Sequence, residues 1–148
     1  MKTSLNSQII QFIIMMIVGI CFNPMNILAY RFNDLYVSLT LIYGGILMAS
    51  NMIWSHEIIH YLTMGHFNVK MFMIGIVLSV LTSVFLLRNQ LQVDDNQWLK
   101  RMISHHSTAL TTSHKIKNRS QNPQVVKLAE DIVNTQEREI KLMKSLIN

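Results

Sequence analysis

Two groups of residues in this 148-residue chain have the types and spacing to do chemistry. The first is Met102, His105, His106, Gln136, Glu139 and Met143, a mixture of thioether, imidazole and oxygen donors. Met102 and His106 are four residues apart, so on a helix they face one point in space. Thioether together with imidazole suits copper better than magnesium or calcium. His105 and His106 lie about 100° apart around a helix, so one ion does not take both from it. His114, two turns and about 12 Å beyond His106 at standard helical rise, is a weaker candidate. The bland reading of the same pattern is that a His and a Gln on an apolar stripe are hydrogen-bonded core groups that fix register.

The second group is His56-Glu57-Ile58-Ile59-His60, with His66 ten residues after His56. It fits H-E-x-x-H, the helix on which zinc peptidases bind zinc through two His while Glu activates water. The pattern departs from that class in detail. Thr63 stands where a glycine should let the chain turn back, and Gly65 is misplaced. The 15-residue loop expected between the second and third spans also gives no body in which to build a substrate cleft. The competing readings are a loop that holds a metal ion, or interfacial histidines with no ligand. No phosphate-binding glycine loop, nucleophile elbow or Cys-x-x-Cys pair occurs, so no reaction is specified. A third reading needs no metal: an assembly or interaction module.

The elements that must carry these residues differ sharply along the chain. Half of all residues are apolar and 14% are charged, with a positive mean hydropathy unusual for a soluble globule. Up to Leu87 there are three basic and two acidic residues, against ten and six from Arg88 onward. The sequence predicts a membrane domain over 1–90, with spans near 9–28, 35–55 and 71–87, each helical because lipid cannot satisfy peptide groups. The expected location is therefore a cell membrane crossed more than once, with the bilayer as a partner. Pro24 should kink or fray the end of the first span. That span reads as a retained anchor, since no small-x-small cleavage site closes it and bulky Ile20 precedes Cys21. Gly75, Ser79 and Ser83, with Gly45 and Ala49, offer small residues at four-residue spacing for close helix packing. The Lys/Arg distribution, Lys2 and Lys70 against Arg31, Arg88, Lys100 and Arg101, leans toward a cytoplasmic tail.

The tail, 91–148, reads as two amphipathic helices. Asp94 or Asp95 caps the first, which runs to about Lys117; Asn118 to Asn122 form a break; Pro123 suits the first turn of the second. An antiparallel fold-back about residues 120 and 121 sets residue 105 level with Gln136, Met102 with Glu139, and Trp98 with Met143. So short a hairpin buries little apolar area and should pair with a second copy as a four-helix bundle, or lie against the spans. Its Lys and Arg alternate with acids, which excludes a nucleic-acid patch. The whole is expected to be all-α.

The run from Asp95 through Met102-Ile103-Ser104-His105-His106 to Ala109-Leu110, with Leu128-Ala129 and Gln136-Glu137-Arg138-Glu139-Ile140-Lys141-Leu142-Met143, resembles the family catalogued as domain of unknown function 305. The resemblance covers about Val93 to Ile147, and a three-span version of the family exists. It implies a ferritin-like helical bundle, frequently exported, with some members associated with copper binding and tolerance. That places the tail outside the cytoplasm, against the charge count. By position it carries over Met102, His105, His106, Gln136, Glu139 and Met143 as copper ligands. Ser104 departs from the usual proline, and Thr112 from a second methionine. Zinc enters only with the peptidase alternative at His56, Glu57 and His60.

Overall fold

The computed structural model describes residues 5–147, and every regular element among them is helical. Helix α1 is Leu5–Cys21. Asn23 then caps the short α2, Pro24–Ile27, accepting the N–H groups of Met25 and Asn26 at 3.0 and 3.1 Å. Pro24 sits in its first turn, where the missing N–H has no acceptor to lose. A 3₁₀ turn, Phe32–Asp34, leads to α3, Leu39–Met64. Next come α4, Val69–Leu81, its π-helical continuation Thr82–Arg88, then α5, Asp95–Lys117, and α6, Pro123–Leu146. Asp94 Oδ1 accepts the Gln97 N–H at 2.7 Å, and Asn122 Oδ1 that of Gln124 at 3.0 Å, so each tail helix starts on a side-chain cap.

The chain divides into two units. One holds the stretch up to Cys21 with Leu39–Gln92; the other holds Phe22–Ser38 with the chain from Val93 onward. The segment between α1 and α3 thus belongs with the tail hairpin, although more than fifty residues separate them in sequence.

In the first unit α3 packs against both α1 and α4. The α1 contact runs through Gly45, where a Cβ would fall 2.6 Å from Ile20 Cγ1 and 2.9 Å from the Met16 carbonyl oxygen. The α4 contact runs through Gly75, where a Cβ would fall 2.7 Å from the Trp54 amide nitrogen. Gly45, Ala49, Gly75 and Ser79 are buried while Ser83 is half-buried, and the glycines mark two seams, one on α1 and one between α3 and α4, rather than one. Ser79 Oγ donates to the Gly75 carbonyl at 2.8 Å, which satisfies the hydroxyl within its own helix. The outer faces are apolar: Ile9, Ile10, Ile13, Ile14 and Ile17 on α1, and Met73, Ile74, Val77 and Val80 on α4.

Two stretches, Asn6–Ile27 and Val69–Arg88, are long and apolar enough to cross a membrane. The first covers the expected span 9–28 except Leu28, and the second contains the expected span 71–87. The expected second span, 35–55, lies mostly on α3, which is not one of these two stretches and runs from Leu39 through His56, Glu57 and His60 to Met64. The H-E-x-x-H group is therefore helical, and the connection from α3 to α4 is only the four residues 65–68. Lys2, used in the charge count, lies outside the described residues.

The second unit is built on the hairpin of α5 and α6. Its core is Leu99, Ile103, Leu110, Ile140 and Met143, with Tyr36, Met102, Val133 and Ile147 packed against it. Ile103, Leu110 and Ile140 are essentially fully buried, and each such side chain stabilises the fold by about 1.5–3 kcal/mol. The pairing differs from the expected fold-back by about one turn. His106 meets Glu139 and Lys117 meets Glu130, which sets Met102 level with Met143 instead of with Glu139. The N–H groups of Arg119 and Ser120 both bond back to the Ile116 carbonyl, at 3.0 and 2.8 Å. Those bonds form the turn after α5, and the observed pairs centre on Asn122 and Pro123.

Candidate functional site

On the facing stripes of the hairpin, His106 Nδ1 stands 3.2 Å from Glu139 Oε2. One turn away on each helix lie Met102 and Met143, both in or against the hydrophobic core. Each helix thus supplies an i,i+4 pair, Met102 with His106 and Glu139 with Met143, and a turn separates two levels by about 6 Å. One level holds the two thioethers and the next holds imidazole and carboxylate.

The His106 side chain is 13% exposed. Burial pushes its pKa below the ordinary imidazole value; the Glu139 carboxylate opposes that shift and His105 adds to it. The neutral ring keeps a nitrogen lone pair available as a ligand. Its buried Nδ1 makes no aligned hydrogen bond, nor does buried Oε1 of Gln136, one turn along α6 from Glu139. A buried polar atom without a partner costs about 1–3 kcal/mol, so Gln136 Oε1 stands to gain from a ligand.

The remaining expected ligands are placed differently. His105 is exposed, with its ring centre 6.0 Å from that of His106 and tilted by 61°. His114 stacks on Tyr30 at 4.9 Å and 17°, two turns from His106, and its buried Nε2 lacks a hydrogen bond. Among the described residues no three His, Cys, Asp or Glu side chains converge on one point as a metal group. A soft-ion site in the hairpin therefore depends on the thioethers.

Sequence reasoning missed the polar network that joins the 22–38 segment to the hairpin. The Asp34 side chain is wholly buried, with Oδ1 2.6 Å from Lys144 Nζ and Oδ2 accepting the Ser107 hydroxyl at 2.7 Å. Ser107 Oγ also accepts the Tyr30 N–H at 2.8 Å. Ser104 Oγ donates to the Asp34 carbonyl at 2.9 Å and accepts the Tyr36 N–H at 3.3 Å. Thr108 Oγ1 donates to the Met25 carbonyl at 3.2 Å, Arg31 pairs with Glu137 at 2.8 Å, and the Arg101 guanidinium contacts the Met25 sulfur. The burial of that guanidinium lowers its pKa. One signal was present: Asp34 is the sole acidic residue before Glu57, set in a loop between apolar runs.

At the far end of α3, Glu57 is 5% exposed and its Oε2 accepts the Asn68 N–H at 3.0 Å. Asn68 in turn caps α4 through the Met71 N–H at 3.3 Å. The rings of His56 and His60 stack with centres 5.8 Å apart, and His66 lies edge-on to His60 at the same distance. A cavity of about 20 Å³, lined by Gln8, Gln11, His56 and Glu57 among others, has room for about one water.

Comparison with known proteins adds two findings. Residues 84–147 match the family model described as domain of unknown function 305. Over 144 residues the chain is 32% identical to uncharacterized protein L153 of Acanthamoeba polyphaga mimivirus, covering 97% of this chain and 93% of that protein. The chain belongs to the same family as that viral protein, with a domain of unknown function 305 at its C-terminal end. No solved structure matches. The matched domain includes the hairpin but leaves out 22–38, the segment that completes its core through Tyr36 and Asp34. In this domain of unknown function 305 the serine at 104, where the resembled pattern has proline, supplies the hydroxyl that holds Asp34 and Tyr36. Thr112, in place of the second methionine, is exposed and bonds back to Thr108 and Ala109 of its own helix.

Proposed function

We propose that this is a membrane-anchored metal-binding protein whose hairpin takes a soft ion, cuprous copper, between Met102, His106, Glu139 and Met143. The observation that carries the reading is the pairing of two i,i+4 donor sets on facing helices, with His106 3.2 Å from Glu139. Thioether with neutral imidazole is the ligand chemistry that favours Cu(I) over hard cations. Gln136, with its unpartnered buried oxygen, adds an oxygen donor a turn away. His105, on the exposed side, serves capture from solvent rather than the inner set. The peptidase alternative loses support from Glu57, whose carboxylate accepts the Asn68 N–H and so closes the α3–α4 loop.

Anchoring is proposed through three crossings by α1, α3 and α4. The exposed isoleucines and valines of α1 and α4, with small residues at the seams, support it, because lipid-facing helices keep apolar side chains outside. The hairpin is proposed to face the extracytoplasmic side, following the resemblance, and to associate with a second copy through its exposed Trp98, Leu128, Leu142 and Leu146.

The test is a Cu(I) titration of the full chain in detergent against a coloured chelator. Wild type should withdraw about one ion per chain from the chelator. Met102→Ala with His106→Ala should lose affinity by at least about tenfold, a difference near 1.4 kcal/mol. Equal competition by both proteins removes the proposal.

A further inference from the structure

We propose a second metal site, independent of the hairpin, in the unit of α1, α3 and α4: a divalent-ion site of zinc type built from His56, His60 and His66. It is not a peptidase centre, and it does not rest on the copper reading.

His56 and His60 are four residues apart on α3, so both imidazoles project from the same side over one turn. Their ring centres are 5.8 Å apart, and those of His60 and His66 also 5.8 Å. Two imidazoles on one ion, each bound through nitrogen at about 2.1 Å, have ring centres no more than about 6.5 Å apart. Both pairs meet that limit. As they stand the three rings do not converge on one point. His66 is exposed on a four-residue loop, and reorienting an exposed side chain is fast and costs little.

The second observation is how the surrounding groups aim these rings. His60 Nδ1 lies 3.4 Å from the His66 carbonyl oxygen. A proton on Nδ1 directed at that carbonyl leaves Nε2 with its lone pair outward, the arrangement by which metal-binding histidines are commonly oriented. Gly65, at φ +68°, makes the sharp turn that brings His66 back over α3, with its N–H bonded to the Tyr61 carbonyl at 2.9 Å. Glu57 holds the other side of the loop by accepting the Asn68 N–H at 3.0 Å. Glu57 is thus a positioning residue, and the loop it closes keeps the third imidazole beside His60. Three neutral imidazoles with an open fourth position suit zinc and its neighbours, not calcium or magnesium.

The experiment uses the full chain in detergent carrying Met102→Ala and His106→Ala, which removes one thioether and the imidazole of the hairpin set. Co²⁺ is titrated as a coloured probe and then displaced with Zn²⁺. The expected result is one Co²⁺ per chain with the intense visible bands of a low-coordinate nitrogen site, bleached by Zn²⁺. His56→Ala with His60→Ala should abolish those bands, and His66→Ala should weaken Co²⁺ binding by about tenfold or more. Absence of the bands in the parent, or their persistence at unchanged affinity in the double variant, overturns the proposal. Should that double variant fail to fold, His66→Ala decides. Its side chain lies on the loop, so a tenfold loss supports the site and unchanged binding overturns it.

Discussion

The carboxylate of Asp34 lies 2.6 Å from the ammonium of Lys144, joining a loop near the start of the chain to the last turns of its final helix. Asp34 is wholly buried while the Lys144 side chain is 30% exposed, so the two partners are not equivalent. Lys144→Met strands a buried charge and is expected to cost about 3–5 kcal/mol. Asp34→Ala frees an ammonium that can reach water, and the loss of the hydrogen bond from Ser107 should cost about 1–3 kcal/mol. Denaturant unfolding of both variants checks the order. Equal losses would mean that Lys144 contributes nothing specific to Asp34.

Removing the loop tests the same relationship from the other side. A fragment beginning at Asp94 keeps the α5–α6 core but loses Tyr36 and every hydroxyl partner supplied by residues 22–38. It should show less helix by circular dichroism than the hairpin has in the full chain. Adding a peptide of residues 22–38 should raise that signal in a saturable way, and Asp34→Ala in the peptide should abolish the rise. No response to the wild-type peptide would count against the loop as part of the hairpin's core.

His106 makes stability depend on pH in a defined direction. Its folded pKa lies below the ordinary 6.5, so between the two values the unfolded chain binds more protons than the folded one. Stability is therefore full above 6.5 and falls as pH drops through that value, levelling off below the folded pKa. Glu139 on α6 and His105 on α5 are the charged or titratable neighbours that set the size of the effect. Thermal unfolding of wild type and His106→Gln across this range should diverge at the acid end, with the variant flatter. Parallel curves would show that His106 titrates alike in both states.

The two glycine seams predict opposite outcomes for neighbouring substitutions. Gly45→Ala and Gly75→Ala put a methyl group within 2.6–2.7 Å of atoms on the adjoining helix, and overpacking of this kind costs about 1–3 kcal/mol. Gly44→Ala meets nothing within 4 Å and should stabilise α3 by up to about 1 kcal/mol. Unfolding in a detergent series, followed by circular dichroism, separates them. Equal effects at Gly44 and Gly45 would mean that the α1 contact is loose.

The sequence by itself determined what depends on nearest neighbours along the chain. Apolar runs without charge became helices, Asp94 and Pro123 marked helix starts, and small residues four apart found close contacts, because each follows from helical period and backbone capping. The residue types at Met102, His106, Glu139 and Met143 were also legible, since a thioether or imidazole on an apolar stripe stands out wherever it folds. Their register was not. The observed pairs, His106 with Glu139 and Lys117 with Glu130, put the pivot about two residues later, and such a shift displaces every facing pair by about a helical turn. Tertiary structure alone decided that Asp34 meets Lys144, and that Glu57 accepts the Asn68 N–H across the α3–α4 loop. Both are contacts in which a charge finds its partner through space, and no local period along the chain encodes that meeting.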